Sequence, residues 1–365
     1  MSSPPVKAIL IDLIHPRMNA TQSRDRLVEL EELVRTYGGI VIVKKYQRRF
    51  APHPKTYIGP GKVEELAEEG PKLGAELVII NDRLKPSQMF NVSEMLRQSK
   101  MHAWDRIDLI LKIFGKNART TEAKLQIELA SVRHMGPRIY GMGMELSRQG
   151  GGIGTLGVGE TNTERMKRHL KEQERKLKDR IAHYQTVRDG HRANRKRQGL
   201  KTIAIVGYTN AGKTTLLNKL TGRSEYAANE LFATLDTRVG SLYLPETNAS
   251  VLVSDTIGFI RDLPPDLIDA FSSTLSEAVQ ADLLLHVIDV SDRNAPQHLR
   301  VVEDILRKLG VFRTPRIMVY NKFDRITDTA RSPLRRLKTD LPTVHISAAT
   351  GEGFQQLIGR ISDSL

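Results

Sequence analysis

Short apolar runs alternate with longer amphipathic segments in the first part of the chain. The runs at 6–14, 40–43 and 77–80 have the length and composition of buried strands. Between them, apolar residues spaced by three and four positions predict helices over 23–37 and 63–73. Strands that alternate with helices in this way are typical of an α/β unit with parallel strands.

Helical spacing dominates the middle of the chain. It predicts one or two long helices that end near Gly136–Pro137, and a second helical stretch over 163–198. Residues 149–160 (QGGGIGTLGVGE) lie between them and contain six glycines. Because glycine has few backbone restrictions and no side chain to pack, this density predicts a mobile loop.

After Gly199 a second series of strand patterns begins, again separated by helical segments. This alternation predicts a doubly wound parallel sheet whose ligand lies at the carboxyl ends of the strands. The predicted strands are 202–206, 251–254, 283–290, 316–320 and 343–346. We therefore expect an α/β fold with an N-terminal α/β domain over 1–104, a long helical arm over 105–198 and a doubly wound domain over 199–365.

The chain of 365 residues is strongly basic, with 56 Lys or Arg residues, 42 Asp or Glu residues and a formal net charge of +14. Fourteen of the cationic residues and only four acidic ones lie between Arg165 and Lys201. This segment is either a solvated helical face or a surface that contacts the phosphates of a nucleic acid. In the second interpretation the contacting side chains include Arg192, Arg195, Lys196 and Arg197.

Composition narrows the class of protein further. The absence of cysteine excludes a disulfide scaffold, a zinc–thiolate site and a thiol nucleophile. No apolar stretch reaches the roughly 18 residues that a membrane helix needs, and the first residues do not have the pattern of a secretory signal. We expect a monomeric, cytoplasmic protein with no membrane partner.

The strand predicted at 202–206 runs directly into GYTNAGKT, which matches the phosphate-loop pattern G-x-x-x-x-G-K-T. Backbone N–H groups in such a loop turn toward phosphates, and the following helix directs its positive end at them. Lys213 is expected to reach the β and γ phosphates, and the Thr214 hydroxyl to bind Mg²⁺. The predicted phosphate-binding residues are Gly207, Tyr208, Thr209, Asn210, Ala211, Gly212, Lys213 and Thr214.

Three further motifs follow predicted strands. The sequence D-T-I-G offers an acidic residue for the water shell of the metal and a glycine N–H for the γ phosphate. Asp324 in NKFD can accept two hydrogen bonds from guanine N1–H and its 2-amino group, a donor pair that adenine lacks. The backbone of the S-A-A sequence fits a contact to guanine O6. Together with the phosphate loop these motifs predict a GTPase, and their residues are Asp255, Thr256, Ile257, Gly258, Asn321, Lys322, Phe323, Asp324, Ser347, Ala348 and Ala349.

A threonine that closes over Mg²⁺ and the γ phosphate is expected between the first helix and the second strand of this domain. Thr234 is the preferred candidate and Thr237 the alternative. The predicted nucleotide-contacting residues of this segment are Phe232, Ala233, Thr234, Leu235 and Asp236.

Two residues bear on the rate of hydrolysis. Phe259 stands where many GTPases carry a glutamine after D-x-x-G, and a phenyl ring cannot orient water. Hydrolysis is then slow until a partner completes the site, unless Phe259 only packs and another residue or cation acts. Asn210 either helps to coordinate a monovalent ion such as K⁺ or makes a structural hydrogen bond within the loop.

The combination of GYTNAGKT, FATLD, DTIGF and NKFD with TYIGPGKVEEL (56–66), TTEAKLQIELA (120–130) and SRQGGGIGTLGVGET (147–161) resembles the HflX family of ribosome-associated GTPases. The similarity covers nearly the whole chain. It implies an N-terminal α/β domain with a helical arm, then a G domain that binds GTP or GDP and Mg²⁺. It also implies association with the large (50S) ribosomal subunit, in ribosome rescue, splitting or the stress response. The basic helix and the glycine loop would then contact ribosomal RNA.

Two alternatives remain open at this point. One is a GTPase that acts in ribosome or RNA maturation. The other is ATP-dependent RNA remodelling through the N-terminal domain, where Gly59-Pro60-Gly61-Lys62 resembles a shortened phosphate loop. Its spacing is too short for a true phosphate loop, and a tight turn before a helix is the simpler interpretation.

Overall fold

The computed structural model describes residues 4–149, 158–222, 232, 238–261, 267, 272–326, 337 and 339–365. Its backbone contacts divide the chain into two compact units. Unit 1 comprises Met1–Lys116 and Lys124–Arg180, and unit 2 comprises Asn117–Ala123 and Ile181–Leu365.

Unit 1 is built on a parallel four-stranded sheet in the order β2-β1-β3-β4. Its strands are β1 (Lys7–Ile14), β2 (Ile40–Arg48), β3 (Leu77–Ile80) and β4 (His102–Asp105). The inner strands β1 and β3 are almost entirely buried, as expected for parallel strands covered by helices. The helices of this part of the chain are α1 (Ala20–Tyr37), α2 (Pro60–Lys72), α3 (Pro86–Arg97), α4 (Arg106–Asn117), α5 (Thr121–Gln149) and α6 (Val158–Arg197).

Unit 2 contains a six-stranded sheet in the order β10-β9-β8-β5-β7-β6. The sheet is parallel except for β6, which pairs antiparallel with β7. Its strands are β5 (Thr202–Gly207), β6 (Arg238–Leu244), β7 (Ala249–Asp255), β8 (Leu283–Asp289), β9 (Arg316–Asn321) and β10 (Thr343–His345). The helices are α7 (Lys213–Thr221), α8 (Ser272–Val279), α9 (Ala295–Lys308) and α10 (Phe354–Ser364).

The predicted α/β class and the doubly wound sheet are confirmed, and four details of the prediction are wrong. Strands β4 and β6 were not predicted, because each lacks a continuous apolar run; β6 alternates buried and exposed residues along its second half. Helix α5 does not end near Gly136–Pro137 but continues through them to Gln149. Helix α6 begins at Val158, so the end of the predicted 149–160 loop is helical, and 150–157 lie outside the described residues.

Candidate nucleotide-binding site

The phosphate-loop sequence joins the buried strand β5 to helix α7 at the carboxyl edge of the unit 2 sheet. The two glycines of the pattern, Gly207 and Gly212, each lie too close to another residue to carry a side chain. A Cβ on Gly207 would lie 2.3 Å from the Val287 carbonyl oxygen, and one on Gly212, which has φ +92°, would lie 2.3 Å from Asn321 Nδ2. Because α7 begins at Lys213, the positive end of its dipole faces this loop.

Lys213 and Thr214 are the residues of the loop that the motif assigns to phosphate and metal. The Lys213 amine is buried and donates to the carbonyl oxygens of Tyr208 at 2.9 Å and Gly207 at 3.2 Å. Burial lowers the pKa of Lys213 to about 8, against the opposing effect of Asp255. The Thr214 hydroxyl donates to Asp255 Oδ2 at 2.7 Å. A hydroxyl and a carboxylate at one point form the oxygen-only donor set that Mg²⁺ prefers.

The D-T-I-G sequence begins at Asp255, the last residue of β7, and is buried next to the phosphate loop. The Thr256 hydroxyl donates to the Ile205 carbonyl oxygen at 2.7 Å, which ties the motif to β5. Gly258 lies so close to the loop that an added Cβ would be 2.9 Å from Thr209 Cα and 3.0 Å from Lys213 Nζ. The structure therefore brings this glycine to the two residues that should flank a γ phosphate.

Asn321 connects three of the predicted motifs. It is almost fully buried, donates through Nδ2 to the Ala211 carbonyl oxygen at 2.8 Å and accepts from the Ala348 N–H at 2.9 Å. Lys322, at φ +62°, donates to the Asn210 carbonyl oxygen at 2.8 Å and pairs with Asp289 at 2.7 Å. The loops after β5, β9 and β10 are thus held together by side chains, as a shared pocket requires.

The residues predicted to recognise the base follow Asn321 and Lys322 along the chain or lie in the loop after β10. Phe323 and Asp324 belong to a 3₁₀ turn over Phe323–Arg325, where Asp324 is exposed and Phe323 half-buried. Ser347 is buried and its carbonyl oxygen accepts from Gly351 N–H, which shapes the turn that carries Ala348 and Ala349. The carboxylate of Asp324 is therefore accessible to a ligand.

Most of the predicted threonine segment lies outside the described residues, including Ala233, Thr234, Leu235, Asp236 and Thr237. Phe232 is described, is buried and adopts φ +57°. Its carbonyl oxygen accepts from Asn117 Nδ2 at 3.1 Å.

The predicted RNA-contacting cations occupy different surroundings. Arg192 pairs with Glu277 of α8 at 2.9 Å and with Asp189 at 3.3 Å, and Arg195 lies 3.9 Å from Glu277. Arg197 is exposed, and the side chain of Lys196 lies outside the described residues. The charge of Arg192 is thus already balanced within unit 2.

Unit 1 contains a second cluster of ionisable groups. Asp105, Asp108 and His134 place possible ligand atoms within 4.8 Å of one another. The guanidinium of Arg138, however, donates to Asp105 at 2.6 Å and to Asp108 at 2.8 Å. A cation of the protein itself therefore holds both carboxylates, which indicates a structural ionic cluster rather than a metal site.

Lys62, the candidate lysine of the shortened phosphate loop, also has an acidic partner in its own helix. Its amine pairs with Glu65 at 2.6 Å, and Glu65 is shared with Lys45. The preceding Gly59 has φ +98° and comes directly before helix α2. This geometry is that of a turn leading into a helix.

Known proteins match the chain along its length. Family profiles described as GTP-binding GTPase N-terminal, GTP-binding GTPase Middle Region and 50S ribosome-binding GTPase match residues 24–115, 117–195 and 202–322. The GTPase HflX of Caldanaerobacter subterraneus subsp. tengcongensis is 42% identical over 98% of this chain and 80% of its own length. The chain belongs to the HflX family of GTPases.

Two further relatives support this assignment. The GTPase HflX of Escherichia coli is 38% identical over 97% of this chain and 82% of its own. The crystal structure of a GTP-binding protein from Sulfolobus solfataricus in complex with GDP is 26% identical, covers 98% of both chains and has a TM-score of 0.50. The prediction of an HflX-type GTPase is therefore confirmed. Among the helices that the structure describes, none has both the length and the apolarity needed to cross a membrane.

The sequence did not indicate Asp289 as part of the candidate site, nor the side-chain contact of Tyr208. Asp289 ends strand β8 and holds Lys322, and its position at a strand end was the only available signal. Tyr208 was predicted as a phosphate-binding residue, but its ring stacks on His298 of α9 with centroids 3.7 Å apart. That contact joins residues far apart in the chain, so the motif gave no sign of it.

Proposed function

We propose that this HflX-family GTPase binds GTP with Mg²⁺ in the pocket formed after β5, β7, β9 and β10. The observation that carries the proposal is Asn321, whose amide links the phosphate loop to the loop that bears Ala348. Such a link fixes the distance between a triphosphate and its base. Asp324 then accepts from guanine, and the backbone near Ala348 contacts its O6.

Mg²⁺ would be held by the Thr214 hydroxyl, next to Asp255, with Thr234 as the predicted second protein ligand. When bound, the metal supplies charge neutralisation at the β and γ phosphates. Asn210 remains the candidate for an additional K⁺ contact. Lys213 and the α7 N-terminus supply fixed positive charge at the same phosphates.

The buried position of Phe259 supports slow hydrolysis by the protein alone. The residue is 1% exposed, and its backbone N–H donates to the Gly207 carbonyl oxygen at 3.1 Å. A buried phenyl ring offers no group that orients an attacking water. A partner, or a cation such as the K⁺ proposed at Asn210, would then complete the site.

We infer that this partner is the large ribosomal subunit, bound in the GTP state in rescue, splitting or the stress response. The inference is supported by the profile described as 50S ribosome-binding GTPase and by the cationic excess of α6. Exposed cations release counterions from RNA phosphates, so we expect the salt dependence typical of RNA binding. Of the four predicted contacts, exposed Arg197 is better placed than Arg192.

Cosedimentation with purified 50S subunits tests this function. The protein should be enriched with mature 50S particles in the presence of a non-hydrolysable GTP analogue and much less with GDP, and 50S subunits should accelerate GTP hydrolysis. Binding only to immature particles would favour the maturation alternative instead. An affinity for the ribosome that is the same with GTP and with GDP would contradict a switch. A ligand that binds two states equally well does not change the equilibrium between them.

A further inference from the structure

Tyr208, the second residue of the phosphate loop, uses its side chain for contacts outside that loop. Tyr208 is 7% exposed, and its ring lies parallel to the imidazole of His298, with an interplanar angle of 5°. The Tyr208 hydroxyl accepts a hydrogen bond from the Arg261 backbone N–H at 2.9 Å. His298 itself lies 3.4 Å from Asp292. One face of the ring is thus fixed by α9, and its hydroxyl reaches the chain that follows D-T-I-G.

Backbone hydrogen bonds join the same two segments. The Phe259 N–H donates to the Gly207 carbonyl oxygen at 3.1 Å, and the Thr209 N–H donates to the Phe259 carbonyl oxygen at 2.8 Å. Any residue at 208 permits these two bonds, which form a short parallel bridge. The bond from Arg261 to the hydroxyl is different, because it requires tyrosine. It extends the bridge by two residues along the segment 259–261.

The bridge fixes the chain immediately after Gly258. That glycine is packed against Thr209 and Lys213, so a small shift of its backbone changes the space available for a γ phosphate. A hydrogen-bond donor stabilises a transition state only when it is already positioned where charge develops. The placement of 259–261 therefore determines how well the Gly258 N–H is positioned.

We propose that Tyr208 is a positioning residue for GTP hydrolysis, whose hydroxyl holds Arg261 and thereby orients the Gly258 N–H toward the γ phosphate. The stack on His298 keeps the Tyr208 ring in the required orientation. This proposal rests on the nucleotide site proposed above. It assigns the hydroxyl a role at the γ phosphate and therefore in hydrolysis. GDP lacks that phosphate, so its binding should not depend on the hydroxyl.

The test compares Tyr208→Phe with the wild-type protein in hydrolysis of GTP, with and without 50S subunits. Loss of one hydrogen bond should lower kcat by about three- to tenfold, while KM and the affinity for GDP stay within twofold. Backbone amide exchange in 257–261 should become faster, and exchange in β5 should not change. His298→Ala should also lower kcat. His298→Phe, which retains an aromatic ring, should have a kcat close to that of the wild type.

Tyr243→Phe is the matched control. It removes an exposed hydroxyl that donates to Asn248 in the β6–β7 turn, and it should leave kcat and exchange as in the wild type. A Tyr208→Phe variant with wild-type kcat or with unchanged exchange in 257–261 would overturn the proposal. So would a large loss of GDP affinity, which would assign the hydroxyl to the pocket itself. If GDP binding by the wild-type protein did not depend on Asp324, the proposed nucleotide site itself would instead be overturned.

Discussion

The two sheets of this protein share a parallel architecture but differ at their carboxyl edges. In unit 2 that edge carries glycines, backbone groups and an exposed carboxylate at Asp324. In unit 1 it is filled by side-chain ion pairs, such as Arg26 with Asp12 at 2.7 Å and Arg138 with Asp105 at 2.6 Å. The comparison shows that a parallel sheet alone does not make a candidate ligand site: the unit 2 edge differs in its glycine-rich phosphate loop and in the exposed carboxylate of Asp324.

The largest effect is expected from removing Asp324, the carboxylate of unit 2 that we propose to recognise guanine. Asp324→Ala deletes two charge-assisted hydrogen bonds of about 1.5–3 kcal/mol each. The affinity for GTP should therefore fall by about 10²- to 10⁴-fold, while the weak affinity for ATP stays the same. Calorimetry with both nucleotides in Mg²⁺ measures the ratio, with the exposed Asp363→Ala as control. A variant that keeps its preference for GTP would remove the distinction between the two edges.

The next effect concerns the ionic cluster of unit 1. Asp105 is fully buried, accepts from Arg138 and His134, and also accepts from the Leu84 N–H at 3.1 Å. Asp105→Ala removes one of the two carboxylates that the Arg138 guanidinium contacts, so the loss should not exceed about 3–5 kcal/mol, the cost of breaking a buried ion pair. Urea unfolding followed by the fluorescence of Trp104 should show this loss.

Trp104 suits this measurement because it is the single tryptophan of the chain and precedes Asp105 in β4. Glu68→Ala, which alters an exposed carboxylate on α2, is the control and should leave the midpoint unchanged. An Asp105→Ala variant as stable as this control would show that the cluster does not hold unit 1 together.

A smaller, pH-dependent effect is expected from His134. Burial alone would lower its pKa, but hydrogen bonds to Asp105 and Asp108 outweigh burial and raise the pKa above 6.5. The protonated form therefore stabilises the fold fully below pH 6.5, and this stabilisation is lost as the pH rises through the raised pKa. As the pH rises through this range, the difference in free energy of unfolding between wild type and His134→Gln should shrink by at most about 1.4 kcal/mol per pH unit. A pH-independent difference in Trp104-monitored unfolding would disprove it.

The smallest effect is expected at Lys62. Its pair with Glu65 is partly exposed, so Lys62→Gln should cost at most about 1 kcal/mol. GTP hydrolysis should be unaltered, in contrast to Lys213→Gln, which removes a cation from the phosphate loop. ATP hydrolysis that is present in the wild type and absent in Lys62→Gln would restore the phosphate-loop interpretation of unit 1.

The candidate site of unit 2 could be proposed from the sequence because its motifs are short, contiguous and placed at the ends of apolar strands, and the structure brings these motifs together. The role of Asn321 was different: the motif identified the residue but not its bonds to Ala211 and Ala348, which depend on chain folding over long separations. Strand β6 escaped prediction for the same kind of reason. Only its pairing with β7 defines it, since its own residues are buried on one face.

The unit 1 cluster could not be predicted at all. Asp105 and Arg138 belong to different elements, 33 positions apart, and neither lies in a recognisable motif. The same limit applies to the stack of Tyr208 on His298. Local patterns thus identify groups that act through the backbone, whereas side chains that meet across elements require the structure.

Strand β2 forms one open border of the unit 1 sheet and is its longest strand, with cationic residues at 44, 45 and 48. Lys44 pairs with Glu31 of α1 and Lys45 with Glu65 of α2, so each face of this edge strand carries an ion pair. A second molecule that tried to add a strand there would have to disturb these pairs and approach Arg48. This edge strand thereby disfavours aggregation by edge-to-edge pairing. The protection weakens in concentrated salt, because the distance over which charges interact becomes shorter.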